Sequence, residues 1–129
     1  MKIVVTSVLV PDQEKALQFY TNILGFVKKT DFPAGGARWL TVVSPDATEG
    51  VELLLEPLGF DFAVTWQKEL YSRGIPLTVF GVDDVDVEYK RLKDLGVVFR
   101  GEPKQDTLSR HAIFEDTCGN LIMIAKPLQ

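Results

Sequence analysis

Alternating apolar and polar runs divide the chain into short strands and helices. Residues 2–10 are almost entirely apolar or β-branched, which predicts a strand buried on both faces. Apolar residues at helical spacing follow, with Asp12 as a candidate N-cap and Gly25 as the stop. Three more strand-like runs complete a β-α-β-β-β unit, at residues 26–32, 38–44 and 51–56.

The same order of elements then occurs a second time. A strand at 75–82 precedes a helix that begins after Asp84 and ends at Gly96, and three strand-like runs follow at 97–101, 110–115 and 120–126. Equivalent residues recur at nearly one offset: 72 for Asp12 and Asp84, 71 for Gly25 and Gly96, 72 for Arg38 and Arg110, and 70 for Pro57 and Pro127. Repetition at a fixed period indicates two similar structural units.

These elements predict an α+β fold made of two tandem β-α-β-β-β modules. We expect one domain over 1–129, with repeat one at 1–58, a linking helix at 60–74 and repeat two at 75–127. Phe62, Trp66 and Leu70 are interpreted as packing residues of the linking helix. We expect the helices outside and the two mixed sheets curled around a central cleft, the usual place for a ligand.

Composition and charge narrow the class of ligand. The net charge is −4, and no basic run exceeds two residues, which argues against nucleic acid as a partner. A neutral or cationic small molecule fits this charge better. No apolar run approaches the roughly 20 residues of a membrane span. The single cysteine is consistent with a reducing cytoplasm.

Three motifs carry a resemblance to a known family: VLVPDQEKALQFYTNILGF, VFGVDDVDVEYKRLKDLGVVF and EDTCGNLIMI. In their order and spacing the chain resembles the vicinal oxygen chelate superfamily, which includes glyoxalase I, bleomycin-resistance proteins, extradiol dioxygenases and fosfomycin-resistance enzymes. The resemblance implies four metal-ligand positions, two on first strands and two on last strands: Val5, Leu77, Glu52 and Met123. Only Glu52 carries a suitable donor for the family's metals, so we expect neither that metal site nor another cofactor.

Glu52 and His111 are the candidate catalytic residues. Side-chain alternation places Glu52 on one strand face with Leu54 and Glu56, turned toward the cleft. Its carboxylate is either held by a Ser, a Tyr or a backbone N–H, or it binds a cationic group or moves a proton. An isolated carboxylate in an apolar cleft would have a raised pKa. His111 is predicted to lie on the same strand face as Met123. It could bind a metal weakly together with Glu52 or form an acid–base pair with Glu52. Alternatively, its ring is hydrogen-bonded to a backbone carbonyl or to water.

The remaining candidates line or border the predicted cleft. Val5, Leu77 and Met123 supply apolar surface, and Ser7 supplies a hydroxyl. Trp39 is either a stacking wall for a flat ligand or a core residue. Arg38 and Arg110 have structural roles or clamp an anion.

Cys118 is interpreted as a turn residue. At about 3.3 Å per residue, it lies too far along the chain from His111 to form a catalytic pair. In this turn Asp116 is expected to make local hydrogen bonds, and Gly119 and Asn120 to adopt positive φ.

Two functions follow from these residues. The first, which the apolar lining favours, is a metal-independent protein of the bleomycin-resistance type that binds a small organic molecule. The alternative is a lyase, isomerase or dioxygenase-like enzyme with a reduced site around Glu52 and His111. A structural or regulatory dimer without a ligand is the third possibility. The resemblance implies a homodimer in each case.

Overall fold

The computed structural model of the chain describes residues 1–128. Within them the strands and helices follow in this order: β1 (Val5–Val10), α1 (Gln13–Gln18), a π-helical turn (Phe19–Ile23), β2 (Val27–Ala34), β3 (Ala37–Val43), β4 (Glu52–Pro57), α2 (Asp61–Ser72), β5 (Thr78–Gly81), α3 (Val85–Asp94), β6 (Lys104–Gln105), β7 (Ser109–Glu115) and β8 (Leu121–Pro127). Helices and mixed sheets confirm the predicted α+β class. In the part of the chain that the structure describes, no helix has the length and apolar character needed to cross a membrane.

The chain divides into two compact units, Met1–Thr65 and Trp66–Gln129, here called the first and second modules. The first contains a four-stranded sheet in the order β1-β4-β3-β2, and the second a sheet in the order β5-β8-β7-β6. In each sheet the first strand runs parallel to the last, and the other pairs are antiparallel. The two tandem β-α-β-β-β modules are confirmed. The division falls inside α2, and the prediction of a single domain stays a prediction.

The predicted helix boundaries are confirmed by the caps. Asp12 and Asp84 accept hydrogen bonds through their carboxylates from the backbone N–H groups of Lys15 and Val87, each at 3.1 Å. The helical segments end at Gly25 and Gly96, whose φ values of 91° and 92° are readily adopted only by glycine.

A π-helical turn accounts for the one-residue difference between the repeats. The segment from Asp12 to Gly25 has one residue more than the segment from Asp84 to Gly96. In the first module the extra residue is accommodated by the π-helical turn at Phe19–Ile23, whereas α3 is α-helical from Val85 to Asp94. Insertion of one residue into a helix commonly produces such a turn.

One face of each sheet packs against the helix of its own module. In the first module α1 contacts β3 and β4, and the buried side chains include Val8, Val10, Leu40, Val42, Leu53 and Leu55. In the second module α3 contacts β7 and β8, and the buried side chains include Val85, Leu92, Ala112, Phe114, Ile122 and Ile124. The opposite face of each sheet, turned away from that helix, is called the distal face below.

Arg38 and Arg110 tie the first turn of a helix to the neighbouring sheet. Arg38 donates to Asp31 at 3.0 and 2.8 Å and to Glu14 of α1 at 3.0 Å. Arg110 donates two hydrogen bonds of 2.6 Å to Asp86 of α3. Hydrogen bonds from Arg38 and Arg110 hold the pKa values of Asp31 and Asp86 below their ordinary range. Of the two roles considered for these arginines, the contacts support the structural one.

Gln13 joins β3 to β4 at a place where the two strands are not paired. Its amide N–H₂ donates to the carbonyls of Arg38 and Leu55 at 2.7 and 2.9 Å, and its carbonyl accepts from Arg38 N–H at 3.1 Å. The β3–β4 register covers only Thr41–Leu54 and Val42–Leu53, whereas the register of β7 and β8 extends from Ser109 to Glu115. The glutamine amide therefore satisfies backbone groups that ladder bonds would otherwise satisfy.

Three strand predictions need correction. β1 is not buried on both faces, because residues 5–7 are exposed and only one face of its sheet meets α1. Residues 97–101 form no named strand and contribute only a bridge from Phe99 to Phe114, while Lys104–Gln105 supplies the edge strand instead. The strand predicted at 75–82 is shorter, at Thr78–Gly81.

The packing prediction for the linking helix is wrong for two of its three residues. Phe62 and Trp66 are 71% and 55% exposed, and Leu70 is half-buried. The buried face of α2 instead carries Ala63 and Gln67. Gln67 is buried because its amide donates hydrogen bonds to the turn between β7 and β8, a requirement that hydrophobic spacing does not reveal.

We predict that Asp86→Asn weakens the acid dependence of stability. Because Arg110 lowers the pKa of Asp86 in the folded chain, the ionised carboxylate stabilises the fold above 3.8, its ordinary value, and this contribution is lost as the pH falls through the lower folded value. The difference in unfolding free energy between wild type and Asp86→Asn should be largest near neutral pH and shrink below pH 3.8, as measured by urea denaturation. Asp94→Asn, which removes a pair with Lys90 on an exposed helix face, is the control. A pH-independent difference for Asp86→Asn would contradict the prediction.

Candidate functional site

Strand register places the candidate residues of the first module on its distal face. Val5 pairs with Glu52, Ser7 with Leu54, and Leu54 also with Thr41. Because alternate residues share a face, the first distal face includes Val5, Ser7, Leu9, Val27, Thr30, Phe32, Ala34, Ala37, Trp39, Thr41, Val43, Glu52, Leu54 and Glu56. The prediction that Glu52, Leu54 and Glu56 share a face is confirmed.

Two threonines hold the Glu52 carboxyl group. Thr41 Oγ1 donates to Glu52 Oε1 at 2.6 Å, and Thr30 Oγ1 lies 3.4 Å from the same oxygen. The two threonine hydroxyls are 2.6 Å apart, and Thr41 Oγ1 also accepts a hydrogen bond from Thr30 N–H at 3.1 Å. Glu52 is therefore not an isolated carboxylate, and its partners are neither the Ser, the Tyr nor the backbone group considered from the sequence.

The second oxygen of the Glu52 carboxyl group is available to a ligand. Within residues 1–128, Glu52 Oε2 makes no hydrogen bond. Since those residues contain no buried side-chain oxygen or nitrogen without a partner, Oε2 must be accessible. The threonines thus fix the side chain through one oxygen and leave the other exposed.

A second carboxyl group lies on the same face. Ser7 Oγ donates to Glu56 Oε1 at 2.8 Å, so the Ser7 hydroxyl supports a glutamate. The positions that the register assigns to this face contain no lysine or arginine among the described residues. Their charged side chains are both acidic, which favours cations over anions.

Phe32 and Trp39 form an exposed aromatic pair on this face. They are opposite each other in the β2–β3 register and stack with ring centroids 6.5 Å apart at an interplanar angle of 19°. Phe32 is 50% and Trp39 38% exposed. Trp39 is therefore not a core residue, and it remains a candidate stacking surface. Sequence reasoning missed Phe32, because only the strand pairing brings it beside Trp39.

The second distal face carries His111 and Met123, as predicted. His111, Ile113 and Glu115 pair with Ala125, Met123 and Leu121, and Val79 pairs with Met123. Glu115 and Leu121 lie opposite each other on either side of the turn, which confirms the predicted register. Leu77 precedes β5 and donates its N–H to the carbonyl of Leu121 at 2.8 Å.

His111 contacts side chains instead of the backbone carbonyl or water considered from the sequence. Its Nδ1 lies 3.2 Å from Ser109 Oγ and 3.9 Å from Asp106 Oδ2. Backbone hydrogen bonds from Ser109 and Leu108 lower the pKa of Asp106, and the charge of His111 lowers it further. Asp106 and Ser109 were not identified from the sequence, where they lie in a polar loop without a motif.

Register also decides which residues of the two modules are equivalent. Ser7 pairs with Leu54 in the first module, and Val79 pairs with Met123 in the second. Ser7 and Val79 are 72 residues apart, the same offset as Arg38 and Arg110, which make the same kind of helix contact. Met123 therefore corresponds to Leu54.

The predicted equivalence of Glu52 and Met123 is wrong by two residues. Glu52 pairs with Val5, and the residue in the corresponding place beside Leu77 is Leu121. The loop from β3 to β4 spans 44–51, three residues more than the 116–120 turn of the second module. A single offset cannot align the strands on both sides of these loops.

The turn that contains Cys118 is a buried hydrogen-bonded unit. Asp116 Oδ1 accepts from the backbone N–H groups of Cys118 and Asn120 at 2.8 and 3.0 Å, and the Asn120 amide donates to Asp116 Oδ2 at 2.8 Å. Positive φ occurs at Thr117 and Gly119, so the prediction for Asn120 is wrong and that for Gly119 is confirmed. Cys118 is buried and forms no disulfide, consistent with a turn residue.

Several known proteins are similar to this chain. A family model described as the Glyoxalase/Bleomycin resistance protein/Dioxygenase superfamily matches residues 2–124. An uncharacterized protein of Bacillus subtilis (strain 168), YurT, is 54% identical over 98% of this chain and 99% of its own length.

Two solved structures share the fold over nearly the whole chain. UcmS2 has a TM-score of 0.83 and 29% identity, with 97% of each chain covered. TnmS3, described as an antibiotic binding protein from Streptomyces sp. CB03234, has a TM-score of 0.79 and 32% identity, covering 99% of this chain and 97% of that one.

We predict that Thr41 and Glu52 are energetically coupled. In a double-mutant cycle of Thr41→Val and Glu52→Gln, the unfolding free energies should give a coupling of about 0.5–3 kcal/mol, because both groups lie in one hydrogen-bond network with a buried threonine. The matched cycle of Ser7→Ala and Glu56→Gln should give a smaller coupling, since that bond is exposed. Equal couplings in the two cycles would show that the threonine network does not hold Glu52.

Proposed function

The chain belongs to the Glyoxalase/Bleomycin resistance protein/Dioxygenase superfamily, and we propose that it binds a flat aromatic molecule with a cationic group on the first distal face, without the family's metal. The observation that carries the proposal is the combination on one face of an exposed aromatic pair and two carboxyl groups. The ligand-contacting residues would include Val5, Ser7, Trp39 and Glu52, and also Phe32 and Glu56.

The aromatic pair supports a planar ligand. A ring stacked on Trp39 or Phe32 would cover apolar surface that is otherwise in contact with water, and such pairs contribute about 0.5–1.5 kcal/mol beyond the buried area. The two rings already stack on each other in the free protein, which reduces the side-chain entropy lost when a ligand binds.

The carboxyl groups support a cationic substituent. Glu52 Oε2 is accessible while Oε1 is held by threonines, so the group is oriented before a ligand arrives. Without a lysine or arginine at the register positions of this face, an ammonium or amidinium group has no competitor there. Complementary charge also disfavours anionic molecules of the same shape.

The residues at the family's metal positions do not fit a metal ion. The first-strand positions are Val5 and Leu77, and the residues beside them on the last strands are Glu52 and Leu121. Glu52 is the only one of the four with a donor atom, and Met123, the position inferred from the sequence, offers only a thioether, which is a poor ligand for hard or borderline divalent ions. One carboxylate is too few protein ligands for the family's metal. Among the described residues, no three His, Cys, Asp or Glu side chains come together as a metal site would require.

The similarity to TnmS3, an antibiotic binding protein, supports a binding function over a catalytic one. A lyase, isomerase or dioxygenase-like enzyme centred on Glu52 and His111 is the alternative hypothesis. Each of these side chains has partners within its own module, Thr30 and Thr41 for Glu52, and Asp106 and Ser109 for His111.

We predict that Trp39 fluorescence reports binding of an aromatic cation. In a Trp66→Phe background, N-methylacridinium should quench the remaining tryptophan saturably, and 9-anthracenecarboxylate, an anion of similar shape, should quench it far less. Glu52→Gln should weaken binding of the cation about tenfold, the loss expected for one charged contact of about 1.4 kcal/mol. Glu49→Gln, which removes an exposed glutamate paired with Lys29, is the control and should change nothing.

Two outcomes would contradict this proposal. One is equal affinity for the cation and the anion, or no effect of Glu52→Gln on the cation. The other is a stoichiometric metal in the purified protein that is lost in Glu52→Ala, because the protein would then bind a metal through Glu52.

We also propose a cytoplasmic homodimer. The single cysteine is buried and forms no disulfide, which suits a reducing compartment. The N-terminal segment exposes Ile3 and Val4 next to β1, an edge strand, and unpaired apolar edges are places where a second copy can add.

We predict a particle of twice the 14.4 kDa chain mass in light scattering coupled to size exclusion. Ile3→Lys should lower the mass toward that of one chain, because it places a charge on the apolar edge. Val87→Lys, at an exposed position of α3, is the control and should leave the mass unchanged. A wild-type mass equal to that of one chain would contradict the proposed homodimer.

A further inference from the structure

Asp106 is fixed at the hairpin between β6 and β7 by backbone groups. Its own N–H donates to Ser109 O at 3.0 Å and closes a turn. Its Oδ1 accepts from Leu108 N–H at 2.8 Å and from Ser109 N–H at 2.9 Å. The carboxylate therefore cannot rotate freely, and Oδ2 stays 3.9 Å from His111 Nδ1.

This arrangement determines where the proton of a neutral His111 lies. A proton on Nδ1 can be donated to Ser109 Oγ, 3.2 Å away, and is attracted by the Asp106 carboxylate. With the proton on Nε2, the Ser109 hydroxyl could donate to Nδ1, but the lone pair of Nδ1 would then face the Asp106 carboxylate. The contacts therefore favour the Nδ1–H tautomer, which leaves an acceptor lone pair on Nε2.

The Nε2 atom of His111 is accessible and has no partner in the described chain. Both contacts of the ring within residues 1–128 involve Nδ1. Since that part of the chain contains no buried side-chain nitrogen without a partner, Nε2 must reach the surface of the second distal face. It is a hydrogen-bond acceptor that the fold itself does not use.

The register neighbours of His111 suit an aromatic hydroxyl. Ile113 and Met123 share its face, and thioethers make favourable contacts with aromatic rings. Lys104 lies opposite His111 on β6 and has no ion pair among the described residues, so it adds positive charge beside the acceptor. Glu115, the acidic group further along β7, is engaged by the Tyr71 hydroxyl and by Arg100 at 3.4 Å.

We propose that His111 Nε2 is the acceptor of a second ligand site, which binds the hydroxyl group of a phenol. Asp106 and Ser109 are positioning residues that fix the tautomer, and Lys104 stabilises negative charge on the phenol oxygen as its proton is shared with Nε2. All the contacts from which this site is inferred lie within the second module.

The test uses ¹⁵N spectra of the imidazole ring, which give one set of signals because the chain has a single histidine. At pH 8.5 the full-length protein should show the Nδ1–H tautomer, and Asp106→Asn should increase the Nε2–H fraction. Phenol should shift the Nε2 resonance saturably. Anisole, which has the same ring but no hydroxyl proton, should not shift it.

Variants distinguish a change in the tautomer of His111 from a loss of the native fold. Ser109→Ala and Asp106→Asn should weaken phenol binding roughly threefold to tenfold, because a smaller fraction of His111 would be in the Nδ1–H tautomer that accepts the phenol proton, while the backbone ¹H–¹⁵N spectrum stays native. His111→Phe should remove the difference in affinity between phenol and anisole. The Nε2–H tautomer in the free wild type, or equal affinity for phenol and anisole, would overturn the proposal whatever binds to the first module.

Discussion

The register of the paired strands decides the chemistry of each module. Alternate side chains of a strand point to opposite faces, so one register fixes which residues meet the helix and which form the distal face. Val5 beside Glu52 and Val79 beside Met123 follow from these pairings. The Thr41–Glu52 hydrogen bond depends in the same way on the antiparallel register of β3 and β4.

The same scaffold carries two different distal faces. Both modules begin their helix with an aspartate cap, Asp12 or Asp84, and hold it to the sheet with an arginine contact, to Glu14 or Asp86. The distal faces differ, since the first presents two glutamates and an aromatic pair, and the second presents a histidine beside Ile113, Met123 and Lys104. Structural positions are constrained by packing, whereas the distal positions are free to take on separate binding functions.

Long-range pairing explains what sequence reasoning missed. Thr30 and Phe32 lie on β2, and only the bulged register with β3 brings them to Thr41 and Trp39. Asp106 approaches His111 through a hairpin whose turn has no motif. In α2, helical spacing marked Phe62 and Trp66 as core, yet the hydrogen bonds of Gln67 to the 116–120 turn set the buried face.

The sequence by itself determined the order of elements, the internal repeat, the helix ends and the face that Glu52 occupies. These follow from local causes: capping groups, glycine φ preferences and side-chain alternation over a few residues. Only the tertiary structure decided that Met123 corresponds to Leu54 and not to Glu52, that threonines hold Glu52, and that Trp39 is exposed beside Phe32. Loop lengths and strand pairing set these relations, and a local pattern contains neither the register of a distant partner nor the burial that results from it.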